Sequence, residues 1–259
     1  MLEPDFGGDC AHLATLGWMS AAVDIRRASD RGASTTEWLD SKHSFSFAGY
    51  YDPDNTHHGL LLVNNDDIVA PAAGFDTHPH RDMEIITWVL QGTLEHRDSM
   101  GNAGVIYPGL AQRMSAGTGV LHSEKNGSPT DPVHFVQMWV APDEAGIEPG
   151  YQQAEIDGSQ LAGRLTTIAS GRGGDAAISL HNKNAALHGA RLQPGDAVEL
   201  PEAPFVHLFI ASGAVTLEDA GALHGGDAAR FTAAGGPRVT ATEPSEILVW
   251  EMHADLASA

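Results

Sequence analysis

Cysteine is almost absent from this 259-residue chain. Cys10 is the only one, so no intrachain disulfide can form, which fits a reducing compartment. Basic residues are also scarce. Fourteen Lys and Arg face 34 Asp and Glu, for a formal net charge of −20. Such a surface repels nucleic-acid phosphate and anionic lipid, and no basic stripe offsets it, so direct nucleic-acid binding is not expected. The plain reading of the acidity is solubility. No apolar run approaches the ~20 residues that span a bilayer, so no membrane association is expected. The opening stretch MLEPDFGGDCAHLATLGWMSAAVD lacks a basic region followed by an apolar one, which argues against a secretory leader. Together these absences lead us to expect a cytoplasmic protein. Patterned sequence begins only near Val23, so residues 1–20 are expected to lie outside the core fold, and Met19 is a candidate natural start.

Glycine (29) and proline (14) are plentiful, and short Val/Ile/Leu/Phe runs recur between them. That spacing predicts an all-β sandwich or barrel. HSFSF (43–47) alternates like a strand, and HGLLLVNNDDIV (58–69) reads as two strands with a turn at Asn64–Asp67. IITWVL (85–90), TLEHRD (93–98), VIYPG (105–109) and HFVQMWV (134–140) follow as further strands. After an acidic connection at 141–150 the theme repeats. ITWVLQGTLEHRD (86–98) lies against HLFIASGAVTLED (207–219), and PGLAQRMSAGTG (108–119) against GGDAARFTAAGG (225–236). We therefore expect two packed, jelly-roll-like β-barrel domains from a duplication, over 21–150 and 151–259.

Two short motifs carry the chemistry. His78 and His80 flank Pro79, and His122 and Glu124 flank Ser123. On a strand, positions i and i+2 share a face. An H-x-H pair alone is weak, because about one arises by chance in a chain this rich in histidine. The second pair, 42 residues on (80 to 122), gives the chain room to return across a barrel. Three imidazoles and one carboxylate then converge on one divalent transition metal, leaving positions open for substrate or dioxygen. Iron(II) is the first expectation, with Mn, Ni, Co, Cu or Zn as alternatives. His96, His134 and His207 read as packed or hydrogen-bonded strand histidines, and His57–His58 as a solvated pair beside a turn. His181, His188, His224 and His253 have no neighbour at ligand spacing, and the C-terminal half holds no H-x-H or H-x-E. Trp88 and Trp139 read as core, with a pocket wall as the sharper option.

The ordered series HPHRDME (78–84), QGTLEHRDSMGN (91–102) and QRMSAGTGVLHSE (112–124), with WLDSKHSFSFAGYYDP (38–53) before it, resembles the pirin family of the cupin superfamily. It is closest to the bacterial branch associated with quercetin 2,3-dioxygenase activity. The resemblance implies a bicupin with one metal in the N-terminal barrel, held by His78, His80, His122 and Glu124, and a C-terminal cupin domain without metal. It further implies a flavonol-like aromatic substrate opened by dioxygen with loss of carbon monoxide, and Glu124 serving as both ligand and catalytic base. The alternative is a non-enzymatic, metal- or redox-sensing pirin that regulates a protein partner. Many other cupins take their carboxylate four residues after H-x-H, where Glu84 stands here. With Glu124 as ligand, Glu84 is expected to orient a ligand histidine through its N–H.

Overall fold

The computed structural model describes residues 21–256, so the expectations for residues 1–20 and Met19 fall outside the described residues. The first half contributes β1 (Ala22–Arg26), β2 (Gly32–Thr35), β3 (Leu39–His43), β4 (Leu61–Val69), β5 (Gly74–His80), β6 (Glu84–Gln91), β7 (Leu94–Asp98), β8 (Ala103–Ile106), β9 (Leu110–Ser115), β10 (Val120–Asn126), β11 (Val133–Val140) and β12 (Gly150–Glu155). The second contributes β13 (Thr166–Ser170), β14 (Ile178–Ser179), β15 (Ala185–Leu192), β16 (Ala197–Glu199), β17 (Phe205–Ser212), β18 (Ala214–Leu217), β19 (Gly221–His224), β20 (Ala228–Thr232), β21 (Arg238–Ala241) and β22 (Ser245–Met252).

These strands form two jelly-roll-like sandwiches, each a seven-stranded sheet opposed to a four-stranded one. The first pairs β12-β9-β6-β11-β4-β3-β2 with β5-β10-β7-β8, and the second pairs β1-β20-β17-β22-β15-β13-β14 with β16-β21-β18-β19. The small sheets and the central strands of the large ones follow the same order in both sandwiches, while one edge differs, since β2 pairs antiparallel with β3 whereas β14 pairs parallel with β13. The edge strand of the second large sheet comes from the first half of the chain. β1 adds to β20, and β12, which follows the acidic connection, adds to β9. The hairpin glycines repeat as well. Gly92 (φ +79°) and Gly213 (φ +80°) sit at the same turn, and a Cβ on either would strike a proline carbonyl, of Pro132 at 2.7 Å or Pro244 at 2.2 Å.

The two seven-stranded sheets pack against each other. Their shared core holds Ile86, Trp88, Val136 and Met138 from one half and Leu187, Phe209, Leu248 and Trp250 from the other. Separate cores fill each sandwich: Val89, Leu94, Ile106 and Phe135 in the first, Leu208, Val215, Val239 and Val249 in the second. Central strands such as β6 are therefore buried on both faces, which explains the unbroken apolar run IITWVL. Among the described residues no helix is long and apolar enough to cross a membrane.

Two expectations are corrected. Residues 61–69 form one strand without a turn at Asn64–Asp67. Ladders to β3 and β11 on either side satisfy its backbone, and Asn64, Asn65 and Asp67 are all buried, so tertiary context overrides their turn preference. HSFSF is not a strand beyond His43. The chain leaves the sheet there and buries Phe45 in the core between the halves, under the Arg230 guanidinium at 4.2 Å.

Candidate metal centre

β5 is the edge of its sheet, where the missing N–H of Pro79 costs no central ladder bond. Its only neighbour, β10, sets His122 directly opposite His78. Residues opposite each other in an antiparallel pair share a face, so His78, His80 and His122 all point into the first sandwich. Ring centroids lie 4.4 Å apart for His78–His122, 4.8 Å for His80–His122 and 4.9 Å for His78–His80. One nitrogen from each falls within 4.8 Å of the others.

The protonation pattern suits a cation. His78 Nδ1 donates to the Asp76 carbonyl at 2.7 Å, which leaves Nε2 as a lone pair. Nε2 of His80 and Nε2 of His122 are buried with no hydrogen-bond partner. Burial, reinforced by the neighbouring imidazoles, pushes His122 down to about 2 and His80 down to about 4. Neutral rings with orphaned, inward-facing nitrogens lack what a divalent metal supplies, so the residues present fit one.

Glu124 lies two residues beyond His122 on the same strand, and its carboxylate lines the same cavity as His78 and His80. It is not one of the group within 4.8 Å. The ladder shifts register between His122 and Glu124, so Glu124 faces Phe75, three residues before His78. Gln137 Nε2 donates to both carboxylate oxygens, at 2.9 and 3.0 Å, and Trp139 Nε1 in turn donates to Gln137 Oε1 at 3.1 Å. Burial lifts Glu124 to about 7, opposed by the Gln137 bond. Asp67, on the same cavity wall, is likewise lifted by burial to about 7. The cavity holds about 240 Å³. Trp139, edge-on to His80 at 4.8 Å and to Phe47 at 5.5 Å, forms part of its wall, so the sharper reading of this tryptophan holds, whereas Trp88 is core.

The expected role of Glu84 is corrected. It is fully buried but accepts from His181 N at 3.0 Å and contacts His181 Nδ1 at 3.2 Å, tying the two halves together beside Arg113. It orients none of the three clustered histidines. Strand parity fails because the chain turns between β5 and β6, with Asp82 at φ +49°, and the two strands belong to opposing sheets. His58 is also corrected. Far from solvated, it bonds the carbonyls of Val206 and Phe231 at 3.2 and 3.1 Å across the halves.

His96 was expected to be a packed or hydrogen-bonded strand histidine, and it is both, but beside the cluster. It is buried, its Nδ1 sits 3.5 Å from His122 Nδ1, its Nε2 3.2 Å from Asp98, and its ring stacks on Tyr151 at 4.8 Å. The missed signal is His96-x-Asp98, a third pair at i and i+2, on the strand next to β10.

A family profile described as pirin matches residues 24–140, and one described as the quercetinase C-terminal cupin domain matches residues 167–252. A Mycobacterium tuberculosis protein, provisionally named a quercetin 2,3-dioxygenase, is 66% identical over 242 residues, which cover 93% of this chain and 99% of the relative. The chain belongs to the pirin family. This pirin is also 51% identical over 138 residues to the quercetin 2,3-dioxygenase of Escherichia coli, across 53% of the chain and 60% of that relative. Among solved structures, the bacterial pirin YhhW of Escherichia coli in complex with nickel(II) matches with a TM-score of 0.83 at 35% identity, over 90% of this chain and all of the other (100%). The bicupin architecture and a histidine cluster suited to a divalent metal are thus common ground between the geometry and the family.

Proposed function

We propose that this pirin is a metal-dependent dioxygenase that opens flavonol-like rings, with His78, His80, His122 and Glu124 as the ligand set and Glu124 as the catalytic base. The observation that carries the reading is the convergence of three imidazoles, two with orphaned buried nitrogens, beside a cavity that also holds a buried carboxylate. A bound divalent metal would supply a Lewis acid that acidifies a coordinated hydroxyl, and an open position for dioxygen. The remaining work falls to side chains. Trp139, Phe47 and Phe75 offer a flat aromatic molecule apolar wall, while Asn65 and Asp67 give that wall a polar end. Glu124 takes the proton of the enol hydroxyl, and Gln137 holds its carboxylate in place. The two relatives named as quercetin 2,3-dioxygenases favour a flavonol as the substrate.

The test is direct. Protein of defined metal content is mixed with quercetin under air, following loss of flavonol absorbance and release of carbon monoxide. Turnover with at least one of Fe, Mn, Ni, Co or Cu is expected. No turnover with any of them would overturn the reading for this substrate.

A further inference from the structure

We infer that Asp98 and His96 form a tautomer relay that sets which nitrogen of His122 is left unprotonated for a metal, with His96 as a positioning residue. The inference rests on the metal reading above but reaches its own readout without metal.

Asp98 stands at the end of β7. Its Oδ1 accepts the backbone N–H groups of Met100 and Asn102, both at 2.9 Å. Its Oδ2 accepts from Asn102 Nδ2 at 2.9 Å and faces His96 Nε2 at 3.2 Å. With every other contact a donor, the carboxylate is an acceptor only, so His96 Nε2 must carry a hydrogen. His96 is buried at 1% exposure and stacked on Tyr151, with no further polar partner than His122. A neutral His96 therefore presents the Nδ1 lone pair to His122 Nδ1, 3.5 Å away, a long contact for an N–H···N bond. That partner must then be protonated at Nδ1, and the lone pair of His122 falls on Nε2, the buried atom without a hydrogen-bond partner on a ring whose neighbours are His78 and His80. The hydrogens are assigned by a single consistent chain from a loop carboxylate to the cluster. Its far end is the nitrogen a metal needs unprotonated.

The relay makes Asp98→Asn informative. Oδ1 is pinned by two backbone N–H donors, so the new amide must put its NH2 toward His96 Nε2. His96 then becomes the acceptor there and the donor at Nδ1, and His122 is forced to protonate Nε2, toward the cluster.

In 15N imidazole spectra of metal-free protein, His122 should show an unprotonated Nε2 in the wild type and a protonated Nε2 in Asp98→Asn. Titration with nickel(II) against a competing chelator should give an apparent Kd weaker by about 10–100-fold in Asp98→Asn and in His96→Leu. His96→Gln, whose amide oxygen can accept from His122 Nδ1, should recover most of that loss. If Asp98→Asn fails to fold, the two His96 variants and the wild-type tautomer decide. A wild-type His122 protonated at Nε2, or equal nickel affinity in all folded variants, overturns the relay alone. Failure of the wild type to bind nickel(II) at all would overturn the metal reading with it.

Discussion

Two buried glutamates that looked interchangeable in the sequence do different work. Glu84 stands at the spacing many cupins use, but the turn at Arg81–Met83 sends it to the seam, where it meets His181 and, at 3.7 Å, Arg113. Glu124 shares its cavity with His78 and His80. Replacing each by alanine should separate the roles. Glu84→Ala leaves a buried guanidinium without its carboxylate, and a stability loss of about 3 kcal/mol or more is expected in chemical denaturation, with metal content by elemental analysis unchanged. Glu124→Ala should show the reverse balance: metal content reduced, and flavonol turnover down by about 10²–10⁴-fold. Greater metal loss from the Glu84 variant would reverse the assignment. At this scale the H-x-H and H-x-E spacings sufficed to place the three histidines, because i and i+2 share a face on any strand. The sequence reading missed His96 and Gln137, which face the site from strands whose neighbours only the fold reveals.

At the scale of strands, a row of polar side chains crosses the large sheet of the first half. Gln153, Gln112, Thr87, Gln137, Asn65 and His43 stand opposite one another, strand by strand, along β12, β9, β6, β11, β4 and β3. Glu124, from the opposing sheet, reaches this row through Gln137. In the second half the matching positions on β20, β17 and β22 are Ala229, Leu208 and Val249, paired in the same order. Its small sheet sets Val198 opposite Val239, both buried, where the register of the aligned hairpins sets Phe75 opposite Glu124 in the first half. The polar row and the carboxylate it holds thus give way to apolar residues on these strands, while the matching position on β15 stays polar as His188, which a comparison of apolar patterns alone does not expose. Thr87 tests the row. Its Oγ1 is buried with no partner, and the second half carries an apolar residue there. Thr87→Val removes the unsatisfied hydroxyl at nearly equal volume, so stability should be unchanged or should rise by about 1 kcal/mol, visible as a Tm increase of about 2–4 °C. A loss of that size would mean that the hydroxyl has a partner in solution, such as a bound water.

Over the whole molecule, the two halves meet through paired sheets whose seam buries histidines as well as hydrocarbon. The all-β class was legible from turn spacing, but the seam was not. Both faces of a central strand are apolar in any such sandwich, and nothing in HHGLLL says that His58 will be buried. Its contacts to Val206 and Phe231 cross the halves, and burial, helped by the nearby Arg230 charge, pulls it down to about 4. His207, also in the seam, is pushed the same way by the same causes. An unfolded histidine titrates near about 6.5. Between about 6.5 and about 4 the unfolded chain therefore binds a proton at residue 58 that the folded chain refuses. The stabilisation is whole above that window and is lost as pH falls through it. Asp67 and Glu124, both lifted to about 7, act in the opposite sense: their contribution is present at low pH and fades as pH rises through about 7. The wild-type pH profile is the sum of these and does not isolate the seam. The difference between wild type and His58→Gln does, because glutamine can donate to the same carbonyls but cannot titrate. In denaturant titrations of metal-free protein, the stability of wild type relative to His58→Gln should fall by up to about 3 kcal/mol between pH 7 and pH 4. A difference that stays flat over that range would mean that His58 is hydrated in solution and that the seam is looser than its packing indicates.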